Sequence, residues 1–182
     1  MLPLKIKETE LFDESTNTFI NVKEQILRLE HSLVSISKWE AKWEKPFLSD
    51  TNKSNEELID YIRFMTLNQN VDDNVYNPAV ITENEIGKVL AYIKKPMTAA
   101  IFSVSERDSD RKSYLSAEII YYKMFSYNIS IECQKWHLNR LLALIRTFDI
   151  KNNPGEKMSL NEIYERNRQL NEMRKKKYNT KG

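Results

Sequence analysis

Glycine, cysteine and long apolar runs are all scarce in this chain. Only 3 of its 182 residues are glycine, which disfavours barrels, propellers and phosphate-cradling loops. The single cysteine, Cys133, cannot form a disulfide within the chain, and this is typical of a reducing compartment. No apolar stretch approaches the roughly 20 residues that a membrane-spanning helix needs, and the first residues lack a signal-peptide core. These absences predict a soluble cytoplasmic protein with no membrane partner.

An excess of charge of one sign is also missing. The chain has 28 Lys and Arg against 26 Asp and Glu, which leaves a formal charge of only +2. Such a balance predicts no overall attraction to nucleic acid or to an anionic membrane. Apolar residues, in contrast, make up 41% of the chain, enough to build a core and to disfavour global disorder. The length suits one domain, or a domain with a small appendage.

Residues 1–31 have the pattern of β-strands. Leu4–Lys7 alternates apolar and polar residues, and Thr18–Val22 is rich in β-branched and aromatic residues. The polar segment Asp13–Asn17 between them suits a turn. We therefore expect an N-terminal β-ribbon with one or two hairpin strands. Because an isolated hairpin is only marginally stable in water, this ribbon should lean on the helical body or on a partner.

Residues 32–152 have the periodicity of helices and predict a compact helical domain of about five helices. Apolar residues recur there at intervals of three or four, and residues able to cap a helix precede several stretches. The expected helices run from Ser32 to Trp43, from Ser54, from Thr82, over Ser113–Tyr127 and over Glu132–Phe148. Pro46 ends the first helix. The apolar residues of the fourth are Leu115, Ile119, Tyr122 and Met124. The expected fold is mainly α, of the α+β class.

The last segment, residues 153–182, predicts a basic C-terminal helix and tail. Ser159 can cap this helix, its apolar face is narrow, and it ends in the basic run Arg174–Lys177. Such a segment suits binding to a partner protein, although a solvated helix that frays fits the pattern equally well. The residues of this segment predicted to contact a partner are Ile163, Tyr164, Leu170, Arg174, Lys175, Lys176 and Lys177.

Trp39 and Trp43 are spaced to share one face of the first helix. Lysines lie beside them, and aromatic residues combined with lysines can bind single-stranded nucleic acid by stacking. The interleaved Glu40 and Glu44 oppose that attraction. Core packing is the favoured interpretation. A protein-binding face that uses both tryptophans is the alternative, because Trp is enriched at interface hot spots.

No group of residues has the full pattern of a catalytic, cofactor or metal site. Cys133 and His137 are spaced as neighbours on one helix, which suits two zinc ligands or a thiolate–imidazole pair. A zinc site needs three or four ligands, however, and the only other histidine is His31. A core cysteine beside a histidine at the polar edge of the core is the favoured interpretation. We expect no enzyme activity and no cofactor.

A series of short blocks, kept in order from Leu29 to the C-terminus, carries a family likeness. The blocks are Leu29–Leu33, Ser35–Glu40, Trp43–Leu48, Tyr92–Ile93, Pro96–Ala99, Glu118–Tyr122, Glu132–Leu142, Met158–Ser159, Arg166–Arg168 and Asn179–Gly182. Together they resemble the tail assembly chaperones that are encoded in the tail modules of long-tailed bacteriophages.

This resemblance implies a function in virion morphogenesis. Chaperones of this class bind the long, largely helical tape measure protein and keep it soluble until tail tube subunits polymerise around it. The resemblance therefore implies the tape measure protein as a partner, with the tail tube protein and further copies of the chain as additional ones. It also implies a location in the cytoplasm of the bacterial host and absence from the mature virion.

Two other functions are compatible with the sequence. One is a structural virion protein of the phage tail, neck or baseplate. The other is a small nucleic-acid-binding regulator that uses the basic C-terminal tail, whose binding would be weak and strongly salt-dependent.

Overall fold

The computed structural model describes residues 1–14, 17–49, 52–100 and 115–152, together with residues 164, 167–168 and 171–172. The chain divides into two compact units, Met1–Arg146 and Thr147–Gly182. In the first unit an antiparallel ribbon is followed by helices and their connections, and the few described residues beyond Asn152 are helical. The predicted α+β fold, with a small ribbon ahead of a helical domain, is confirmed.

Four strands form the ribbon, and they belong to one long hairpin. They are β1 (Leu2–Ile6), β2 (Thr9–Asp13), β3 (Thr18–Val22) and β4 (Gln25–Leu29). β1 pairs with β4 to form the inner ribbon, and β2 pairs with β3 to form the outer ribbon; both pairs are antiparallel. A single register runs through both, because Leu2 faces Leu29 and Asp13 faces Thr18. The ribbon thus has more strands than predicted, since charged residues weaken the apolar alternation of β2 and β4.

The buried face of the ribbon changes between its two halves. The buried side chains of the inner ribbon are Leu4, Ile6, Leu27 and Leu29. In the outer ribbon the buried residue is Val22, which is an odd number of residues from Leu27 and therefore lies on the other face. The buried face changes at Lys7–Glu8 and Lys23–Glu24, which are charged residues outside the named strands. Only the inner ribbon therefore presents a continuous apolar face to the helices.

Five α-helices lie within residues 1–152, as far as the structure describes them. They are α1 (Leu33–Trp43), α2 (Asn55–Met65), α3 (Glu83–Ile93), α4 (Ala117–Ser126) and α5 (Leu138–Asn152). Ser32 and Ser54 start α1 and α2 with capping boxes, as the sequence predicted for Ser54. Thr82 is the N-cap residue of α3, but its hydroxyl donates a hydrogen bond to the Glu85 carboxylate instead of accepting one from the helix backbone. The predicted start of the fourth helix, Ser113, lies outside the described residues.

The prediction of a single helix over Glu132–Phe148 is wrong. A 3₁₀ helix over Ile131–Lys135 is followed by extended backbone at Trp136, and α5 begins only at Leu138. The reason is a tertiary contact, because the Leu138 N–H donates a hydrogen bond of 2.7 Å to the His31 carbonyl. That backbone group is therefore tied to the end of the ribbon instead of to the preceding helical turn.

The segment after α2 covers one edge of the inner ribbon. The Leu67 N–H donates to the Arg28 carbonyl at 2.8 Å, and the Glu30 N–H donates to the Met65 carbonyl at 2.9 Å. The core of the first unit lies between this ribbon and the helices, with α1 packed on α2 and α4, and α3 packed on β1. The ribbon thus leans on the helical body, as expected for a hairpin that is not stable alone.

Candidate partner-binding surfaces

Trp39 is a core residue and is no longer a candidate for partner contact. Its side chain has 0% exposure, and its indole N–H donates a hydrogen bond of 2.9 Å to the Glu57 carbonyl. The ring of Phe47 packs edge-on against it, with centroids 5.1 Å apart. The favoured interpretation of Trp39 as a core residue is confirmed, and its prediction as a partner-binding residue is wrong.

Trp43 is half-buried at the edge of the same cluster. Its ring stacks against that of Trp39 with centroids 6.3 Å apart, and the Lys42 ammonium lies 5.4 Å from its centroid. The indole nitrogen of Trp43 is buried and has no hydrogen-bond partner within the described ranges. Most of the ring therefore serves packing, and only part of it is open to a partner.

The predicted contacts of the C-terminal segment fall almost entirely outside the described residues. These are Ile163, Leu170, Arg174, Lys175, Lys176 and Lys177, and the predicted cap Ser159 lies there too. Tyr164 is described, and its side chain is 71% exposed. A partner contact through this segment stays a prediction.

Cys133 and His137 do not share a helix. Cys133 is buried in the 3₁₀ helix, whereas His137 lies between that helix and α5. The His137 ring instead packs against His31, with ring centroids 5.1 Å apart. Within the described ranges, no three His, Cys, Asp or Glu side chains are placed to hold a metal ion.

A buried polar cluster joins the end of the ribbon to α1, α2, α3 and the start of α5. The Tyr61 hydroxyl lies 2.5 Å from His31 Nδ1 and 3.3 Å from Ser35 Oγ. The His137 Nε2–H donates to the Tyr92 carbonyl at 3.3 Å, while its Nδ1 accepts from the Asn139 N–H at 3.3 Å. These contacts come from segments far apart in sequence, so the cluster acts as a structural junction.

Burial keeps the members of this cluster uncharged at neutral pH. Desolvation lowers the pKa of His31 to about 3, with a smaller contribution from neighbouring His137, and it also lowers the pKa of His137. Desolvation raises the pKa of Tyr61, and desolvation together with the hydrogen bond to Glu30 raises the pKa of Tyr92. His31 is only 1% exposed, so no substrate reaches its ring in this conformation.

A cavity of about 380 Å³ opens beside His137 and Glu30. Its outer wall is formed by Trp136 and Arg140, whose guanidinium stacks on the indole ring 4.1 Å from the ring centroid. The described residues that line this cavity include no serine, threonine or cysteine. These lining residues therefore offer no hydroxyl or thiol nucleophile.

Glu40 is a buried carboxylate that the sequence did not mark as a candidate, because it stands in a run of charged residues typical of a solvated face. One of its oxygens accepts the Phe47 N–H and the other accepts the Ala117 N–H, each at 2.7 Å. Burial raises the pKa of Glu40, and these two hydrogen bonds oppose the rise. Glu40 thus links the end of α1 to the start of α4.

The first exposed apolar surface is a pair of aromatic rings on the outer ribbon. Phe12 and Phe19 face each other across β2 and β3, with ring centroids 5.1 Å apart. They are 51% and 69% exposed. Sequence reasoning placed Phe19 in a strand but missed the pair, because two residues become cross-strand neighbours only once the position of the turn is known.

The second exposed apolar surface, the α4 face, consists of Ile119, Tyr122 and Phe125. The buried residues of this helix are Ala117, Ile120 and Met124. The apolar residues predicted for this helix therefore lie on two faces, since Met124 is buried whereas Ile119 and Tyr122 are exposed. Because α4 is apolar on both sides, the period of its sequence does not distinguish the inner face from the outer one.

No helix within the described ranges is long and apolar enough to span a membrane. Comparisons of the chain with known protein families, with curated protein sequences and with solved structures found no match, and no family is therefore assigned to it.

Proposed function

We propose that this protein is a bacteriophage tail assembly chaperone that binds the tape measure protein and keeps it soluble while the tail tube assembles. The sequence blocks that resemble such chaperones suggest the client. The observation that carries the proposal is the presence of two exposed apolar surfaces, the Phe12–Phe19 pair and the α4 face, on a well-packed body. Contiguous exposed apolar groups are typical of protein-binding sites.

The size of these surfaces suits reversible binding. Full burial of one large apolar side chain contributes about 1.5–3 kcal/mol, and the cost of association offsets much of what a few such side chains provide. Each surface alone is therefore expected to bind weakly and to release its client readily. A chaperone that must leave before the tube closes around the tape measure needs contacts of this kind.

Binding is a better interpretation than catalysis for the described residues. The titratable side chains with the largest pKa changes, His31 and Tyr61, are sealed in the core and serve a structural junction. The open surfaces, in contrast, carry aromatic and aliphatic side chains, which are suited to contact with another protein.

Co-expression with the tape measure protein tests the proposal. We expect the tape measure to be soluble and to co-purify with this chain, and to precipitate when expressed without it. The variant Tyr122→Ser with Phe125→Ser should reduce the soluble yield, because it removes most of the α4 face. Ile150→Ser is the matched control, since Ile150 is 53% exposed but lies outside both surfaces. A tape measure that stays insoluble with the wild-type chain contradicts the proposal.

Mass spectrometry of purified phage particles provides a second test. A chaperone that leaves the assembly should be absent or present only in traces. A stoichiometric amount in mature particles contradicts the proposal and supports a structural role in the tail, neck or baseplate.

A further inference from the structure

The exposed face of the outer ribbon combines the Phe12–Phe19 pair with a row of acidic side chains. Strand alternation places Glu10 and Phe12 on one face of β2, and Glu8 directly precedes the strand; all three are exposed. Glu14, also exposed, follows directly after the strand. On β3 the facing positions hold Phe19 and Asn21. The face therefore presents two aromatic rings next to a line of negative charge.

The charges of this face are available to a partner. Glu10 and Glu14 have no ion pair within the residues that the structure describes, and Glu8 only accepts a hydrogen bond of 3.0 Å from the Asn21 amide. Lys23, which follows β3, is an exposed basic residue at the end of this row. A second copy of the ribbon face would bring like charges together, so charge complementarity favours a basic partner over self-association.

The edges of the outer ribbon are also unpaired within the described residues, in contrast to the β4 edge of the inner ribbon. The second edge of β4 is covered by Leu67 and its neighbours, whereas β2 and β3 pair only with each other within the described residues. An open strand edge offers backbone N–H and carbonyl groups to an added strand, and natural proteins usually block such an edge. Here the open edge belongs to the strand that carries Glu10 and Phe12.

We propose that the outer ribbon binds an extended basic segment of a partner protein, which adds as a strand to the free edge of β2. Lys or Arg side chains of that segment pair with Glu8 and Glu10, and an apolar or cationic side chain packs on Phe12 and Phe19. Main-chain hydrogen bonds provide part of the affinity, and the acidic row selects for basic residues. This inference rests on the proposed function only in that it describes the kind of client segment recognised.

A synthetic peptide tests the inference without the client. The probe is a short fluorescein-labelled peptide in which lysine alternates with valine, and binding to the full chain is measured by fluorescence anisotropy. We expect binding at low salt that weakens as salt is raised, because the charge pairs are solvent-exposed. The double variant Glu8→Lys with Glu10→Lys should lower the affinity at least about tenfold, since it replaces attraction by repulsion at two cross-strand positions.

Two further variants separate the ribbon from other surfaces. Phe12→Ser with Phe19→Ser should also weaken peptide binding, whereas Tyr122→Ser with Phe125→Ser on the α4 face should leave it unchanged. Circular dichroism melts of all variants check folding. Hydrogen exchange should show increased protection of the β2 amides when the peptide binds. Absence of binding at low salt, unchanged affinity after charge reversal, or ribbon-dependent self-association of the free protein would each overturn the inference.

The two proposals fail separately. If the peptide binds at β2 but the tape measure protein is not kept soluble, the ribbon site is supported and the chaperone function is contradicted. A second outcome is that the peptide does not bind the wild-type chain, while the Glu8→Lys, Glu10→Lys variant keeps the tape measure as soluble as the wild type does. In that case the ribbon site is contradicted and the chaperone function is supported.

Discussion

Acidification from neutral pH to about pH 5 should weaken this fold through its two buried histidines. His31 and His137 are the only histidines of the chain, and they are 1% and 5% exposed. Burial lowers the pKa of both, so the folded protein keeps them neutral where the unfolded chain binds protons. Because the unfolded state then binds more protons than the folded state, stability is full above the ordinary histidine pKa and falls as pH decreases below it.

The size of this loss in unfolding free energy follows from the pKa of His31. That pKa is lowered from 6.5 to about 3. In the folded protein the His31 ring therefore stays unprotonated between pH 6.5 and about pH 5, where the same ring gains a proton in the unfolded chain. At about 1.4 kcal/mol per pH unit, this difference removes about 2 kcal/mol of unfolding free energy. A domain of this size is stable by about 5–15 kcal/mol, so the loss is a substantial fraction of the total.

Urea denaturation at about pH 7.5 and about pH 5, followed by circular dichroism, measures this loss. The variant His31→Gln removes one titrating group and should show a pH-dependent loss about 2 kcal/mol smaller than that of the wild type. Carboxylates that titrate nearby, such as Glu40, are common to both proteins and cancel in the comparison. His137→Gln is the matched second variant and should reduce the loss in the same direction.

Two outcomes would refute this reasoning. One is equal unfolding free energy of the wild type at both pH values. The other is an NMR titration in which the His31 ring of the folded protein gains its proton near pH 6.5, since that would show that burial does not lower its pKa.

Two further predictions concern the core. Glu40→Ala should destabilise the protein by about 2–5 kcal/mol, because it leaves the Phe47 and Ala117 N–H groups buried without an acceptor; Glu40→Gln should cost less, and thermal melts of both variants measure the difference. Trp39→Phe keeps an aromatic ring but removes the donor to the Glu57 carbonyl, and it should cost about 1–3 kcal/mol in urea denaturation. Trp39→Ala should cost more, about 3–5 kcal/mol, and an equal effect of both variants would contradict the role given to ring packing.

The ends of helices could be predicted from the sequence where the interactions that set them join neighbouring residues. Ser54 caps α2 because its hydroxyl and Glu57 meet within one turn. α1 ends just ahead of Pro46, with Glu44 in the left-handed conformation. Such features depend on a few adjacent residues, and the sequence contains all of them.

Other features depend on contacts between distant segments and could not be predicted in the same way. The break before Leu138 is set by a carbonyl of His31, which is more than a hundred positions away in the chain. The Phe12–Phe19 pair depends on the ribbon register. The outward face of α4 depends on which neighbour packs on it, because both sides of that helix are apolar. The candidate site was missed for this reason, since exposure is a property of the assembled fold.

The junction at His31 and Leu138 also constrains the order of events during synthesis. The ribbon is translated before the helices, but its inner end is completed by a residue that is translated much later. Until that residue emerges, the nascent chain holds an apolar ribbon face without its full set of neighbours. Native closure of this domain therefore waits for Leu138 to be translated, and chains on which translation stalls before that residue should be prone to aggregate.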